Sequence, residues 1–292
     1  MNFKARVRSS VPNSVLWRMT PMRLYWAGNS GPNDNFGDQL SPVLVKNIFG
    51  LSSKHSGINA ADIIAVGSLM EGIEESARSD AWVWGAGYIE DGAPWNGEEI
   101  RVAAVRGRLT ADRVKCVRGR GKIVLGDPGM VVDKAFPELR KAAKKWEIGL
   151  IPHFTEVSSP RTDTLSAAPG VKVIDVMRPP HEVIADVVAC RIIVSSSLHG
   201  LIVAESFGVP NYWMAPGEGI TGGEYKFADH YSAFGVTPHP SDPEEVLANP
   251  DTAVRRWEPL PKVDEVKTAL LRAFPGLFWA RGDRTRRGSA GA

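Results

Sequence analysis

Arg191-Ile-Ile-Val-Ser-Ser-Ser-Leu-His-Gly200, continuing into Leu201-Ile-Val-Ala-Glu-Ser-Phe-Gly208, is the stretch whose reading decides the fold. Its apolar opening reads as a buried parallel strand, its Ser-rich end as a turn, and Gly200 onward as a helix closed by Gly208. His199 then stands at the carboxyl edge of a sheet. A helix start beside it offers unpaired backbone N–H groups and a favourable dipole, which attract an anion. Ligands of open α/β sheets bind at strand carboxyl ends, so this imidazole is a candidate acid or base next to a phosphate or carboxylate. A His after a strand can equally be a turn residue bonded to backbone, and the rest of the chain has to separate the two.

Upstream, residues 22–26 read as a first strand, 28–37 as a Gly/Asn-rich turn, and about 38–49 as a helix stopped by Gly50. Strands follow at 63–66, 81–84, 101–105 and 122–125, with a helix at 109–114. That alternation belongs to a doubly wound sheet. Charged residues 134–145 form a surface helix or linker, and a strand at 148–152 opens a second unit. Strand 171–176, helix 181–189, strand 191–195, helix 201–207 and strand 211–214 continue it, and 243–248 and 263–273 read as further helices. The fold class is α/β with two units, 22–140 and 141–275, and a cleft between them in which a ligand is expected. A basic leader, 1–21, and a basic tail, 276–292, flank them.

The 292 residues, 43% hydrophobic, suffice for two such cores. A net charge of +2 gives no reason to expect a nucleic-acid partner. Basic residues do crowd the ends: Lys4, Arg6, Arg8 and Arg18 at the start, Arg281, Arg284, Arg286 and Arg287 at the close. They read as solvated tails, or as contacts to an anionic membrane surface. Cys116 and Cys190, both in apolar surroundings, fit a reducing cytoplasm better than a disulfide framework. With no secretory h-region and no bilayer-length apolar run, a cytoplasmic protein is expected, at most peripheral to a membrane. No His or Cys pair has metal-ligand spacing, so no metal is expected. Gly85-Ala-Gly87 lacks the third Gly of a dinucleotide fingerprint, Glu90 standing there instead.

Several polar residues fall where these strands end. Asn35, Gly37 and Asp38 edge the expected cleft; Asp38 is a helix N-cap or a base for a sugar hydroxyl. Arg106 follows strand 101–105, its fork suited to carboxylate or phosphate, with Thr110 opening a helix beside it, while Arg108 reads as a surface residue. Asp127, in Leu125-Gly-Asp-Pro-Gly129, reads as a structural turn residue. His153 follows strand 148–152 and would bind an acceptor or an anion, or order its turn. Glu224 and Lys226 follow the Gly-rich loop 217–223, which could close over a ligand.

Taken together, Asn35-Phe-Gly-Asp38, Val83-Trp-Gly-Ala-Gly87, Val105-Arg-Gly-Arg-Leu-Thr110, Leu125-Gly-Asp-Pro128, Gly149-Leu-Ile-Pro-His153, Ser197-Leu-His-Gly200 and Glu224-Tyr-Lys226 resemble the polysaccharide pyruvyl transferase family, nearest to the bacterial exopolysaccharide enzymes. The resemblance spans about residues 22 to 235. It implies two Rossmann-like domains arranged as in a GT-B glycosyltransferase. It also implies no cofactor, phosphoenolpyruvate as donor, and a pyruvate ketal placed across two hydroxyls of one sugar. The acceptor would be a saccharide, and the basic leader points to one that is lipid-linked and met at the inner membrane face. Arg106, His199 and Lys226 fall on positions that hold or act on phosphoenolpyruvate in that family, with Ser197 and Leu198 beside them. Asn35, His153 and Glu224 would line the acceptor side. Some members carry an Arg where this chain has Ser197, so that phosphate contact is lost here or supplied by another cation. The residues leave two rivals open. One is a nucleotide-sugar glycosyltransferase, in which Glu205 would hold a ribose; under the pyruvyl reading Glu205 lies on a helix face and Glu205→Gln would be mild. The other is a non-catalytic carbohydrate-binding assembly protein.

Overall fold

The computed structural model describes residues 21–28, 34–75, 81–95, 100–114, 122–217 and 222–276. The leader's Lys4, Arg6, Arg8 and Arg18, the tail's Arg281, Arg284, Arg286 and Arg287, Cys116 and loop residues 29–33 and 218–221 lie outside them. The first half runs β1 (Met22–Tyr25), α1 (Leu40–Phe49), β2 (Ser53–His55), β3 (Ile63–Ile64), α2 (Met70–Glu75), β4 (Trp82–Trp84), β5 (Arg101–Val105), α3 (Arg108–Arg113) and β6 (Val124–Leu125). A 3-10 turn at Pro128–Val131, the short α4 (Val132–Ala135) and a second 3-10 turn at Pro137–Lys141 lead onward. Then come β7 (Trp146–Ile151), α5 (Pro160–Ser166), β8 (Val171–Val173), α6 (Pro180–Ala189), β9 (Cys190–Ser195), α7 (Leu198–Phe207) and β10 (Asn211–Trp213). Four helices close the described chain: α8 (Tyr225–Ser232), α9 (Pro243–Ala248), α10 (Pro250–Arg256) and α11 (Val263–Ala273).

The fold is mixed α/β with two parallel sheets. One has six strands in the order β2-β1-β3-β4-β5-β6, the other four in the order β10-β9-β7-β8, and every pairing in both is parallel. Strands buried on both faces should be apolar throughout, as β3 and most of β5 and β9 are. β2, a polar Ser-Lys-His segment pairing only with β1 at the sheet edge, carries no such signal. Because the strands of each sheet run one way, the loops leaving β1, β4, β5 and β6 share one edge. Those leaving β7, β9 and β10 share the corresponding edge of the second sheet.

The two predicted helix stops hold: Gly50 and Gly208 take φ of 65° and 68°, the left-handed region where a side chain would be strained. Several boundaries differ from those expected, and one of them moves a candidate site residue. The helix expected from Gly200 begins at Leu198, after Ser197, which puts His199 in the first helical turn rather than before it.

A continuous apolar core joins Leu40, Leu44 and Trp84 of the first sheet's layer to Met130 and Val132 of the connection and to Ile184, Leu201 and Ile202 on the second sheet. The last helix returns to the first sheet. α11 packs on β5, β6 and the Pro128–Val131 turn, and the Trp84 indole N–H donates to the Leu270 carbonyl at 3.0 Å. Phe274 stacks on Phe49 with ring centroids 3.7 Å apart and meets Trp84 edge-on. Among the described residues no helix is long and apolar enough to cross a membrane.

Trp84→Phe keeps an aromatic ring but leaves the Leu270 carbonyl without its donor. Unfolding in urea should show a loss of about 1–3 kcal/mol. An unchanged midpoint would mean this bond does not anchor α11.

Candidate active site

His199 is the second residue of α7, directly after β9. The Ser197 cap position places no side-chain oxygen on the helix N–H groups, and those of Leu198, His199 and Gly200 meet no acceptor among the described residues. Three bare amides at the positive end of a ten-residue helix form an anion-binding edge. The imidazole packs against the loop before α1: a Cβ added to Gly37 would lie 2.1 Å from Nδ1, so only glycine admits the ring there. Phe36 meets it edge-on. On its other side Nε2 lies 3.8 Å from Oδ2 of Asp127, which follows β6. His199, carried at the end of a strand of the second sheet, therefore touches two loops of the first.

Asp127 is fully buried, and the sequence reading of it as a turn former describes one oxygen. The Gly129 N–H donates to Oδ1 at 2.7 Å and fixes the 3-10 turn. Burial works to raise its carboxyl, but His199, the Gly129 amide and His230 outweigh that and hold it below the usual carboxylate range.

Arg106 is buried rather than loop-exposed, and its charge is matched. Its Nε donates to Asp229 at 2.9 Å, Nη1 to the Ser68 hydroxyl at 2.8 Å and Nη2 to the Tyr88 carbonyl. Asp229 also accepts from the Thr110 amide at 2.9 Å and hydroxyl at 2.7 Å. This cluster clamps α8 onto the start of α3. Three residues before Asp229 and on the same helix face stands Lys226, 9% exposed. Among the described residues it has no carboxylate within 4.0 Å. Burial lowers its pKa, the charge of Arg106 adds to that, and Asp38 and Glu156 oppose it. Asp38 is half-buried and raised by burial, against the pull of His199 and Lys226, with Asp34 adding to the rise. Asp38 thus lies within electrostatic reach of both His199 and Lys226, and Glu156 within reach of Lys226.

The other expected residues divide. Asp38 caps nothing, since α1 starts after Gln39. Asn35 instead orders the turn, its side chain accepting from the Gly37 amide at 2.9 Å and its carbonyl from Asp38 and Gln39. His153 bonds Thr155 through Nδ1 at 2.8 Å, and burial, then Lys226, push its pKa down to about 4, so it is neutral at pH 7 and no anion ligand by charge. Glu224 is exposed just before α8. Glu205 is not an open helix-face residue. Its Oε1 accepts from the Leu260 amide at 2.8 Å and its Oε2 from Asn211 at 3.1 Å, so a Gln there would set an amine against one of two donors.

Sequence reasoning missed three groups. Asp127 carried a positional signal, following a strand, but turn chemistry explained it first. His230, four residues after Lys226, could be placed only once α8 was recognised as a helix. It is buried with Nδ1 unpartnered. Glu156 accepts from the Ser196 hydroxyl at 2.7 Å and the Gly217 amide at 2.8 Å, tying the end of β9 to the loop after β10.

Residues 6–218 match the family described as polysaccharide pyruvyl transferase. Succinoglycan biosynthesis protein ExoV of Rhizobium meliloti (strain 1021) is 26% identical over 223 residues, 74% of this chain and 66% of that protein. Uncharacterized protein L143 of Acanthamoeba polyphaga mimivirus is 33% identical over 138 residues, 45% of this chain and 47% of that one. The chain thus spans about half and just under two thirds of the curated relatives it matches. A crystal structure of a functionally uncharacterised protein, KP1_0663 from Klebsiella pneumoniae subsp. pneumoniae NTUH-K2044, aligns over 82% of this chain and 98% of its own at 13% identity, with a TM-score of 0.45.

The buried His230 ring supplies a pH test. Burial lowers its pKa from 6.5 to about 4. As pH falls, the unfolded chain takes up this proton near 6.5 and the folded chain only near 4. Stability therefore drops across that window, by about 3 kcal/mol, and levels off below it. His230→Gln should flatten this part of the slope in urea unfolding between pH 7 and 4; an unaltered slope would show that the ring is not held neutral.

Proposed function

This chain belongs to the polysaccharide pyruvyl transferase family, and on that premise we propose that it moves the pyruvyl group of phosphoenolpyruvate onto two hydroxyls of one sugar as a cyclic ketal, releasing phosphate, during exopolysaccharide or cell-surface glycan synthesis. In this reading the two sheets belong to two Rossmann-like units and the substrates meet in a crevice between them. One observation carries most of the weight. A buried lysine with no carboxylate close by among the described residues stands in the same polar cluster as a helix start with three bare amides. A lysine withdrawn from most of its water with no carboxylate close by among the described residues is costly, and an anionic substrate repays it.

Lys226 and the amides of Leu198, His199 and Gly200 would hold the donor's anionic groups, with Ser197 at the edge. A guanidinium has five N–H donors. Arg106 spends one each on Asp229, Ser68 and Tyr88, and would contribute through the remainder. Protonated His199 gives its proton to the donor's methylene carbon, which becomes a methyl and leaves positive character on the neighbouring carbon. A sugar hydroxyl bonds to that carbon and passes its proton to Asp38, whose raised pKa suits a base working nearer neutrality. The second hydroxyl then displaces phosphate, its proton returning to His199, while Asp38 gives up its proton to the departing phosphate. Exclusion of water strengthens each electrostatic contact and protects the cationic carbon.

Asn35, His153 and Glu224 would face the acceptor. Phe154, 49% exposed beside His153, offers an apolar ring to a sugar face. A lipid-linked acceptor at the inner membrane face, approached by the basic leader, completes the reading. The glycosyltransferase alternative needs Glu205 for a ribose, and both its oxygens are already bonded within the fold.

Incubation with phosphoenolpyruvate and a panel of saccharides should release phosphate and produce a new ketal methyl in the NMR spectrum. His199→Ala should lower that turnover about a hundredfold or more with the fold intact. Near-normal turnover in a folded variant would remove His199 from the chemistry, and a chain that binds sugars but never consumes the donor would favour the carbohydrate-binding alternative.

A further inference from the structure

Three buried polar atoms without hydrogen-bond partners belong to one cluster: Oδ2 of Asp127, Nε2 of His199 and Nδ1 of His230. Buried polar groups are nearly always paired, so each such atom asks for an explanation. Two of them face each other as acceptor and donor. Asp127 is 0% exposed and has one oxygen fixed by the Gly129 amide, which leaves Oδ2 aimed at Nε2 across 3.8 Å. That is about 1 Å longer than a charge-assisted hydrogen bond, a gap that a small tilt of the ring closes. Nδ1 lies on the opposite, Gly37 side of the ring. The imidazole thus faces a carboxylate with one nitrogen and the Gly37 backbone with the other.

We propose that Asp127 is the positioning residue of His199: its Oδ2 accepts the Nε2–H, fixes the orientation of the ring, and stabilises the positive charge the ring must carry before it gives up a proton. The inference rests on the reading of His199 as the acid. The same logic governs acid/base pairs in which a buried carboxylate orients an imidazole without itself taking the proton. The other groups that feel His199 pull in different ways. Asp38, before α1, adds a second negative charge in reach. His230, on α8, stays neutral through burial, with Arg106 and Asp229 behind it. Asp127 is the carboxylate that both lies closest and is kept ionised. It also explains why a fully buried turn residue is an Asp when Asn or Ser could cap the same Gly129 amide.

Asp127→Asn retains an oxygen for the Gly129 amide and removes the charge. In the whole chain without substrate, the imidazole titration of His199, followed by NMR, should move to lower pH by about one pH unit, as expected for losing an opposite charge about 4 Å away. In turnover the alkaline limb of the kcat profile should move the same way, because the protonated ring is lost at lower pH. kcat should fall on the order of tenfold or more while KM for phosphoenolpyruvate stays near the wild-type value. Combined with His199→Ala, the substitution should add no further loss. Asp127→Ser, which can also accept from Gly129, gives the same comparison if the Asn variant does not fold. A folded variant whose His199 midpoint and alkaline limb are both unmoved overturns the proposal, since loss of a turn cap would lower stability and leave those two readouts in place. A wild-type chain that transfers no pyruvyl group but shows the shift would sink the functional reading and leave the Asp127–His199 pairing standing.

Discussion

The buried ion pair between Arg106 and Asp229 is the constraint on which the rest of the site depends. It ties the end of a strand in the first sheet to a helix that follows the last strand of the second, across 123 residues of sequence. Two buried charges gain little net stability from each other, but removing either leaves the other uncompensated at a cost of about 3–5 kcal/mol. Such a pair specifies geometry more than it stabilises. Asp229 also caps the start of α3 through Thr110, so α8 has essentially one way to sit. Lys226, on the same face, is thereby delivered within electrostatic reach of Asp38, which in turn feels His199 on α7.

This delivery explains how a costly group is kept in place. Lys226, 9% exposed and with its pKa lowered by burial and by the neighbouring guanidinium, would move outward if its helix could rotate. Because Arg106 neutralises Asp229, that carboxylate is not left over to neutralise Lys226 as well. Under the proposed function the positive charge is what receives the donor. His199 is treated in the opposite way, with a carboxylate behind it and a glycine in front.

Much of this was legible in the sequence. β5 and α11 fall at the residues their patterns gave, and Gly50 and Gly208 end their helices as glycines in the left-handed region do. The candidates His199, Arg106, Asp38 and Lys226 come from their places after strands or from the family resemblance, and the structure brings Asp38 within electrostatic reach of His199 and Lys226, and Arg106 of Lys226. What was not legible depends on contacts distant in sequence. The return of α11 to the first sheet rests on Trp84 and Phe49, which no local pattern pairs with Leu270 and Phe274. The burial of Arg106 depends on Asp229, in a helix hidden behind a Gly-rich loop. The cap assigned to Asp38 belongs to a helix that starts two residues later, and Glu205 looked available because its partners, Asn211 and Leu260, lie beyond its own helix.

The central claim is that Lys226 is kept unmatched to receive an anionic donor. Calorimetric titration of phosphoenolpyruvate into the whole chain and into Lys226→Ala tests it most directly. The account predicts saturable binding to the native chain and at least about tenfold weaker binding to the variant, a difference of about 1.4 kcal/mol. Equal affinity for the two would contradict it.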